Sequence, residues 1–223
     1  MFDGEARFIN EQFIAERVTP AQLDLLLAQG WRHFGTNFFR YSYGFYELDI
    51  RLVLPLRIRL SEFSLSKSQR RTLKRNSDLK TVIRPIEIVD ESRSLFETHK
   101  RRFKSGVPDS LSDFLSPMPA VEPCEAKEIA VYDAERLVAV SYFDIGATAN
   151  SGVYAMFDPQ YASRRLGIYT LLREIEFAIE AGREFYYQGY AYQGSSFYDY
   201  KKQFRGTEAF DWNESWQPLE CEV

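Results

Sequence analysis

Fourteen residues, 67 to 80, carry six cations: Lys67, Arg70, Arg71, Lys74, Arg75 and Lys80. On a helix, Lys67, Arg71 and Arg75 recur at every fourth position and form one stripe, with Arg70 and Lys74 beside it. Guanidinium and ammonium groups in such a row suit phosphate oxygens and position a nucleic acid without reading its bases. A second anion-prone stretch is Arg164-Arg165-Leu166-Gly167, directly ahead of a long apolar segment. If that segment is a helix, its first backbone N–H groups lack intrahelical partners and the dipole adds about half a positive charge, which favours a phosphate or a polarised carbonyl there. Other chemistries find less support. His33 and His99 stand in no triad-like setting, and Cys124 and Cys221 lack metal-ligand spacing, so neither a metal nor a cofactor is expected.

The elements that must position these residues follow from periodicity and punctuation. Thr19-Pro20 before Leu23, Leu25, Leu26 and Leu27, with Gly30 after, predicts a short capped helix. Alternation at Leu48, Ile50, Leu52 and again at Leu56, Ile58, Leu60 predicts half-buried strands, with Pro55 as a separator or bulge. Ser66 or Ser68 caps the basic helix, which runs to about residue 76, and a strand is expected over about 79–89. Helices are expected over about 90–104 and 109–115, each opened by a capping Asp, before a connector containing Pro117, Pro119 and Pro123. Beyond it come three strands over about 128–132, 137–144 and 151–156, a helix over about 163–181 stopped by Gly182, and a strand over about 184–190.

Bulk properties bound the class. With 223 residues, 45% hydrophobic and 16% aromatic, the chain can bury a sizeable core. The expected fold is α/β (α+β): a GNAT-like mixed sheet flanked by helices, with an N-terminal lobe over about residues 1–120 and an acyltransferase lobe over about 121–223. Net charge is −4, which disfavours binding of nucleic acid by charge alone and leaves a local basic face on an acidic body. The first ten residues show no basic stretch ahead of an apolar run, no segment reaches the roughly 18 apolar residues of a membrane helix, and two cysteines fit a reducing compartment, so the cytoplasm is expected.

The order of meander, Arg-led loop, long helix and strand resembles the GNAT acyltransferase core, whose phosphate loop reads Arg or Gln, two variable residues, Gly, one variable residue, then Gly or Ala. Here Tyr169 occupies the last, small position. Three separate regions resemble the aminoacyl-tRNA–protein transferase family, the arginyl and bacterial leucyl enzymes. They are Gly30-Trp31-Arg32-His33-Phe34-Gly35 with Phe38-Phe39-Arg40; the stretch from Ile58-Arg59-Leu60 through Ser66-Lys67-Ser68-Gln69-Arg70-Arg71 to Asn76-Ser77-Asp78-Leu79; and Phe157-Asp158-Pro159 with Arg164 to Tyr169, Tyr186 to Tyr190, and the closing Tyr200-Lys201 with Phe204. These anchors keep their order over about residues 30–205.

The resemblance implies an aminoacyl-tRNA donor and an amine acceptor, which is a protein N-terminus, a peptide or a small molecule. An aminoacyl ester is already activated, so the protein has to orient an uncharged amine about 3 Å from the carbonyl, move its proton and stabilise the developing oxyanion. Asp158, Gln188 and Tyr190, at the ends of the last core strands, are the catalytic candidates. Gln188, Tyr190 and Tyr192 should share one face of their strand, with Tyr187 and Gly189 on the other. Arg164, Arg165, Gly167, Tyr192 and Lys201 are candidates for substrate binding, Lys201 for the tRNA end or an acidic acceptor side chain, with Arg40 and Arg59 as further choices for that acid; Lys67, Arg70, Arg71, Lys74 and Arg75 are expected to hold tRNA. Two departures stand out. The family's N-terminal cysteine cluster is absent after Phe39-Arg40, and Phe197-Tyr198 replaces the family's Lys-Met. Alternatives from other classes are an acyl-CoA-dependent GNAT N-acyltransferase and a noncatalytic tRNA- or degron-binding module.

Overall fold

A computed structural model describes residues 7–103 and 106–219. In chain order these form β1 (Asn10–Ile14), α1 (Pro20–Ala28), β2 (Arg32–Phe34), β3 (Asn37–Tyr41), β4 (Tyr43–Tyr46), β5 (Asp49–Arg59), α2 (Lys67–Arg75), β6 (Lys80–Pro85), α3 (Asp90–Lys100), β7 (Ala126–Asp133), β8 (Arg136–Ile145), β9 (Ala149–Phe157), α4 (Leu166–Glu180), β10 (Phe185–Tyr192), β11 (Thr207–Phe210) and β12 (Trp216–Pro218). The large sheet runs β12-β11-β5-β10-β9-β8-β7-β6, with β4 paired to β5, and a small sheet runs β1-β3-β2. β9 and β10 pair in parallel through the α4 crossover, while the other pairs are antiparallel, so the sheet is mixed. It draws β4, β5 and β6 from before residue 120 and β7 to β12 from after it.

Helices cover both faces. On one side α4 lays Leu166, Leu172, Ile175 and Ala178 against Ile129, Phe143, Ile58 and Tyr186, and α2 packs beside α4. On the other, α3 buries Leu95 and Phe96 against Val140, Tyr142 and Met156, and α1 sets Leu23 and Leu27 against Phe38, Ala149 and Tyr187. The first helix starts as its residues dictate: Thr19 and Gln22 form a reciprocal capping box with Pro20 inside the first turn. Ser66 and Gln69 do the same for α2, whose Gln69, Thr72 and Asn76 turn inward and leave every one of its basic side chains exposed.

Several boundaries differ from the sequence expectations, each for a local reason. Pro55 neither separates strands nor bulges, because β5 runs through it. Odd-numbered residues of β5 direct their N–H groups away from β10, Val53 to Ser42 O and Arg59 to Gly206 O, and Pro55 falls in the gap between the reach of β4 and of β11, where no rung is lost. The cap before Leu111–Asp113 is Ser110, not Asp109, and the turn is 3-10; α3 starts at Asp90 without a side-chain cap and ends at Lys100, with residues 101–103 already out of the helix expected to reach 104, a position outside the described residues. The helix expected from 163 is broken: a 3-10 turn, Pro159–Arg164, is followed by Arg165 at φ 57°, and only then does α4 begin.

Arg57 and Arg59, neighbours on β5, both bind Glu208 of β11, at 2.6 Å (Arg57 Nε) and 2.7 Å (Arg59 Nη2). Removing one acid from this buried group leaves guanidinium groups uncompensated. Glu208→Ala is expected to cost about 3–5 kcal/mol in urea unfolding, whereas Glu11→Ala, at the exposed pair with Arg40, costs less than about 1 kcal/mol.

Candidate active site at the strand fork

β9 and β10 pair only through three rungs, ending at Ser151 and Tyr187, and then part: β9 stays with β8 to Phe157, and β10 stays with β5 to Tyr192. The sheet therefore forks, and beyond the fork the facing edges of the two strands no longer pair with each other; side chains take some of their backbone groups, Gly152 O by Arg32, Tyr190 O by Lys201 and Phe157 N by His99. A register shift marks each strand beside the fork: one between Tyr142 and Phe143 opposite β9, and one between Tyr187 and Gly189 in β10. Gly189 has φ +87°, which only glycine adopts freely.

Two cations close the root of the fork. Arg32, buried, donates through Nη1 to Ser151 Oγ at 2.5 Å and through Nη2 to Gly152 O, the first residue past the last rung. Lys201, on the 3-10 turn Phe197–Gln203, donates from Nζ to Tyr190 O at 3.0 Å. A methyl group built on Gly189 would stand 3.3 Å from Lys201 Nζ, a tight contact, and 3.5 Å from Arg32 Nη2, an ordinary one, so position 189 lies directly against both cationic heads. Burial lowers Lys201 to about 7, and the neighbouring Arg32 adds to the effect. Among the described residues no carboxylate pairs with Lys201.

Under the root lies a buried acid. Tyr186 donates its hydroxyl to Glu174 Oε2 of α4, and burial lifts the Glu174 carboxyl to about 7. A methyl on Gly152 would come within 2.6 Å of the Tyr186 hydroxyl and 3.2 Å of Glu174 Oε2. Gln188, 5% exposed, reaches Thr207 Oγ1 at 3.4 Å with Nε2 and leaves Oε1 buried without a hydrogen-bond partner.

The predicted residues divide in place. The bulge in β10 adds one residue, so Tyr190 and Tyr192 face the same side as Tyr187, and Gln188 faces the other with Tyr186; the strict alternation expected for this strand does not hold. Tyr190 spends its hydroxyl on Gly30 O at 2.7 Å, anchoring the N-terminal layer, and Tyr192 bonds Phe45 O at 3.3 Å. Asp158 is turned toward β8: it caps the 3-10 turn through Gln160 N at 2.9 Å and pairs with Arg136 at 2.5 Å. Arg40 is held by Glu11 at 2.7 Å and Arg59 by Glu208, so neither offers a free cation.

The basic helix meets the loop at the open end of the fork. Arg164 grips Asp78 with both nitrogens, at 2.8 and 2.9 Å; Asn76 donates to Arg164 O at 2.9 Å; and Arg165 donates to Ser68 Oγ at 2.8 Å. The loop that leaves β9 is thus bolted to α2, with Arg165 and the α2 cations exposed on the same corner and Gly167 packed against Phe157. Tyr169 turns into the core and bonds Thr81 Oγ1 at 2.8 Å, away from the loop mouth.

Arg32, Glu174, Tyr186 and Gly152 were not expected as site residues. Glu174 had a signal: it falls at the i, i+3, i+4, i+7 positions shared by Leu171, Ile175 and Ala178, so the period alone puts a carboxylate on the apolar face of α4. Cys124, His33 and Asp144 are brought together, their ligand atoms within 4.8 Å of one another. His33 is satisfied inside that group, Nδ1 by Gly35 O at 2.8 Å and Nε2 by Asp144 Oδ2 at 3.0 Å. Cys221 lies outside the described residues.

A family model described as arginine-tRNA-protein transferase, C terminus, matches residues 91–211, more than half of the chain. An aspartate/glutamate leucyltransferase of Xanthomonas euvesicatoria pv. vesicatoria is 32% identical over 169 residues, 72% of this chain and 67% of that protein. The chain belongs to the arginine-tRNA-protein transferase family. A leucyltransferase of the same description from Dinoroseobacter shibae is 29% identical over 209 residues, 88% of this chain and 72% of that one. The solved structure of FemX shares the fold at 11% identity, with a TM-score of 0.51, over 91% of this chain and 70% of that chain. The chain is an aminoacyltransferase built on a mixed sheet flanked by helices; its donor is an aminoacyl-tRNA and its acceptor a protein. No helix among the described residues is long and apolar enough to cross a membrane.

Lys201 should titrate far below an ordinary lysine. Isotope-edited NMR of its Nζ or Cε is expected to give a midpoint near pH 7, and Arg32→Gln should raise it by removing the nearby charge. A midpoint above about 9 overturns this placement of Lys201.

Proposed function

We propose that the fork between β9 and β10 is the site of transfer, and that it moves leucine, or else arginine, from tRNA to the α-amino group of a protein whose first residue is acidic. The observation that carries this reading is the pair Arg32 and Lys201 at the root of two unpaired strand edges. The α2 cations and Arg165 hold the tRNA end at the open corner, and the ester lies between the strands. The amine nitrogen attacks the ester carbonyl carbon, a C–N bond forms, the C–O bond to the ribose breaks, and the proton lost by nitrogen ends on the ribose oxygen. Free backbone N–H groups along the β9 edge meet the developing oxyanion. Lys201, as ammonium, receives the acceptor's side-chain carboxylate, a role for which Arg40 and Arg59 are already committed to acids. Two cations at the root disfavour a guanidinium beside them, which favours leucine as the transferred group.

Asp158 has its oxygens occupied, so its part is to shape the loop before α4; Gln188, with its orphaned oxygen, remains a candidate to accept a hydrogen bond from the incoming ammonium or amine. An acyl-CoA donor is less well served, since Arg164 is spent on Asp78 and not available to a pyrophosphate.

The test is transfer measured with each charged tRNA in turn, to peptides opening with Glu, Asp or Ala and to free glutamate as a small amine. Leucyl or arginyl transfer to the acidic peptides alone is expected; transfer from no charged tRNA removes the reading, and equal transfer to free glutamate widens the acceptor. Because Lys201 is charged below about 7, KM for the glutamyl peptide should rise as pH is taken above 7, and Lys201→Met should flatten that rise. Neutralising Lys67, Arg71 and Arg75 together should weaken tRNA binding and lower its salt dependence by about 0.7–0.9 log units per lost phosphate contact.

A further inference from the structure

The transfer chemistry leaves one buried acid unused. Glu174, on the sheet-facing side of α4, is 3% exposed and accepts the Tyr186 hydroxyl at Oε2. That hydroxyl packs against the bare backbone of Gly152, where even a methyl group would stand 2.6 Å from it, and Gly152 is the residue whose carbonyl oxygen Arg32 holds at the root of the fork. The pair therefore abuts the strand edge along which the ester is placed. Among the described residues no group donates to the Tyr186 oxygen, so a lone pair stays available to an N–H. Its register partner on β9, Asn150, is fully buried and leaves both amide atoms without a hydrogen bond. Buried amides are nearly always bonded, so this corner keeps polar capacity that the fold itself does not use.

Groups that face the carboxylate come from each neighbouring element. They are Tyr186 of β10, Ser141 and Asp144 of β8, Arg32 of β2, and Tyr200 of the 3-10 turn that carries Lys201. Burial outweighs the rest and lifts the acid to about 7, so it is a carboxylate above that pH and a carboxylic acid below it. A base works best when it titrates near the working pH.

An α-amino group titrates at about 8, so at neutral pH the acceptor enters mostly as ammonium and cannot attack. Between ammonium and amide the nitrogen loses two protons. The one released during attack goes to the ribose oxygen, and the other must leave beforehand. We propose that Glu174 removes this first proton: an ammonium N–H breaks, Tyr186 takes the proton on its oxygen while passing its own to Glu174 Oε2, and the nitrogen is left uncharged beside the ester. The proposal rests on the fork being the site of transfer. It gives both charges of an acidic first residue a seat, Lys201 for the carboxylate and the Tyr186–Glu174 pair for the ammonium, with Arg32 against both Gly189 and Gly152 between them.

Single-turnover transfer at saturating peptide tests it. One acceptor opens with aspartate and the other with 3,3-difluoroaspartate, whose fluorines withdraw electron density and leave the α-amine uncharged at pH 7. With the aspartyl peptide the parent rate is expected to climb as pH passes 7. Glu174→Gln, equal in size and still able to accept from Tyr186, should lower that rate at pH 7 by about 100-fold or more and remove the inflection. With the fluorinated peptide the same variant should lose less than about threefold, since no proton has to leave before attack. Tyr186→Phe, which keeps the ring, should show the same split and decides the matter if Glu174→Gln does not fold. Equal losses with both peptides overturn the proposal, because a packing defect spares neither acceptor, and so does an unchanged rate with the aspartyl peptide. A parent that transfers to neither peptide from any charged tRNA removes the transfer reading and this proposal with it, whereas an active parent beside equally active variants removes this proposal alone.

Discussion

The architecture turns on the place where two parallel strands stop pairing. Rungs between β9 and β10 end at Ser151 and Tyr187, and the carbonyl that would have continued the ladder, Gly152 O, is taken by Arg32. A buried guanidinium there does two things at once. It satisfies backbone that would otherwise be orphaned in the protein interior, and it holds the strands apart so that the remaining edges stay open. Much of the N-terminal layer exists, in effect, to deliver this one side chain: α1 and the small sheet pack on β9 and β10 through Leu23, Leu27 and Phe38, and Tyr190 fastens β10 to Gly30 just ahead of it.

Electrostatics around that point are balanced rather than saturated. Arg32 lies near Glu174 and Asp144, while Lys201 has a backbone carbonyl for company and gives up much of its basicity to burial. Elsewhere the cations are matched: Arg57 and Arg59 with Glu208, Arg40 with Glu11, Arg164 with Asp78. A buried charge left without a countercharge is costly to keep, which is the physical ground for giving Lys201 an anionic visitor.

The corner where the fork opens links recognition to chemistry through short, specific contacts. Arg165 sits at a left-handed φ of 57°, ends the 3-10 turn and starts α4, and its side chain crosses to Ser68 at the first turn of α2. Asn76 at the far end of α2 holds Arg164 O. The basic helix is therefore not an independent patch: its two ends are tied to the loop that leaves β9, so anything gripped by its exposed cations is held at a set distance from the open strand edges.

Local order was largely legible in the residues. Capping at Thr19 and Ser66, the basic stripe of α2, and the meander followed by a long helix depend on interactions between residues near one another in sequence, and each survives into the structure. What only the tertiary structure decided is where pairing stops and which charges meet. Arg32 and Gly152 are 120 positions apart, the bulge at Gly189 reverses the facing of Tyr190, and Asp158, placed at a strand end by its motif, is turned to Arg136 by the register of β8. Periodicity of two or of 3.6 carries no information about such meetings, because they are set by the sum of strand registers and by which buried polar groups find partners once the layers close.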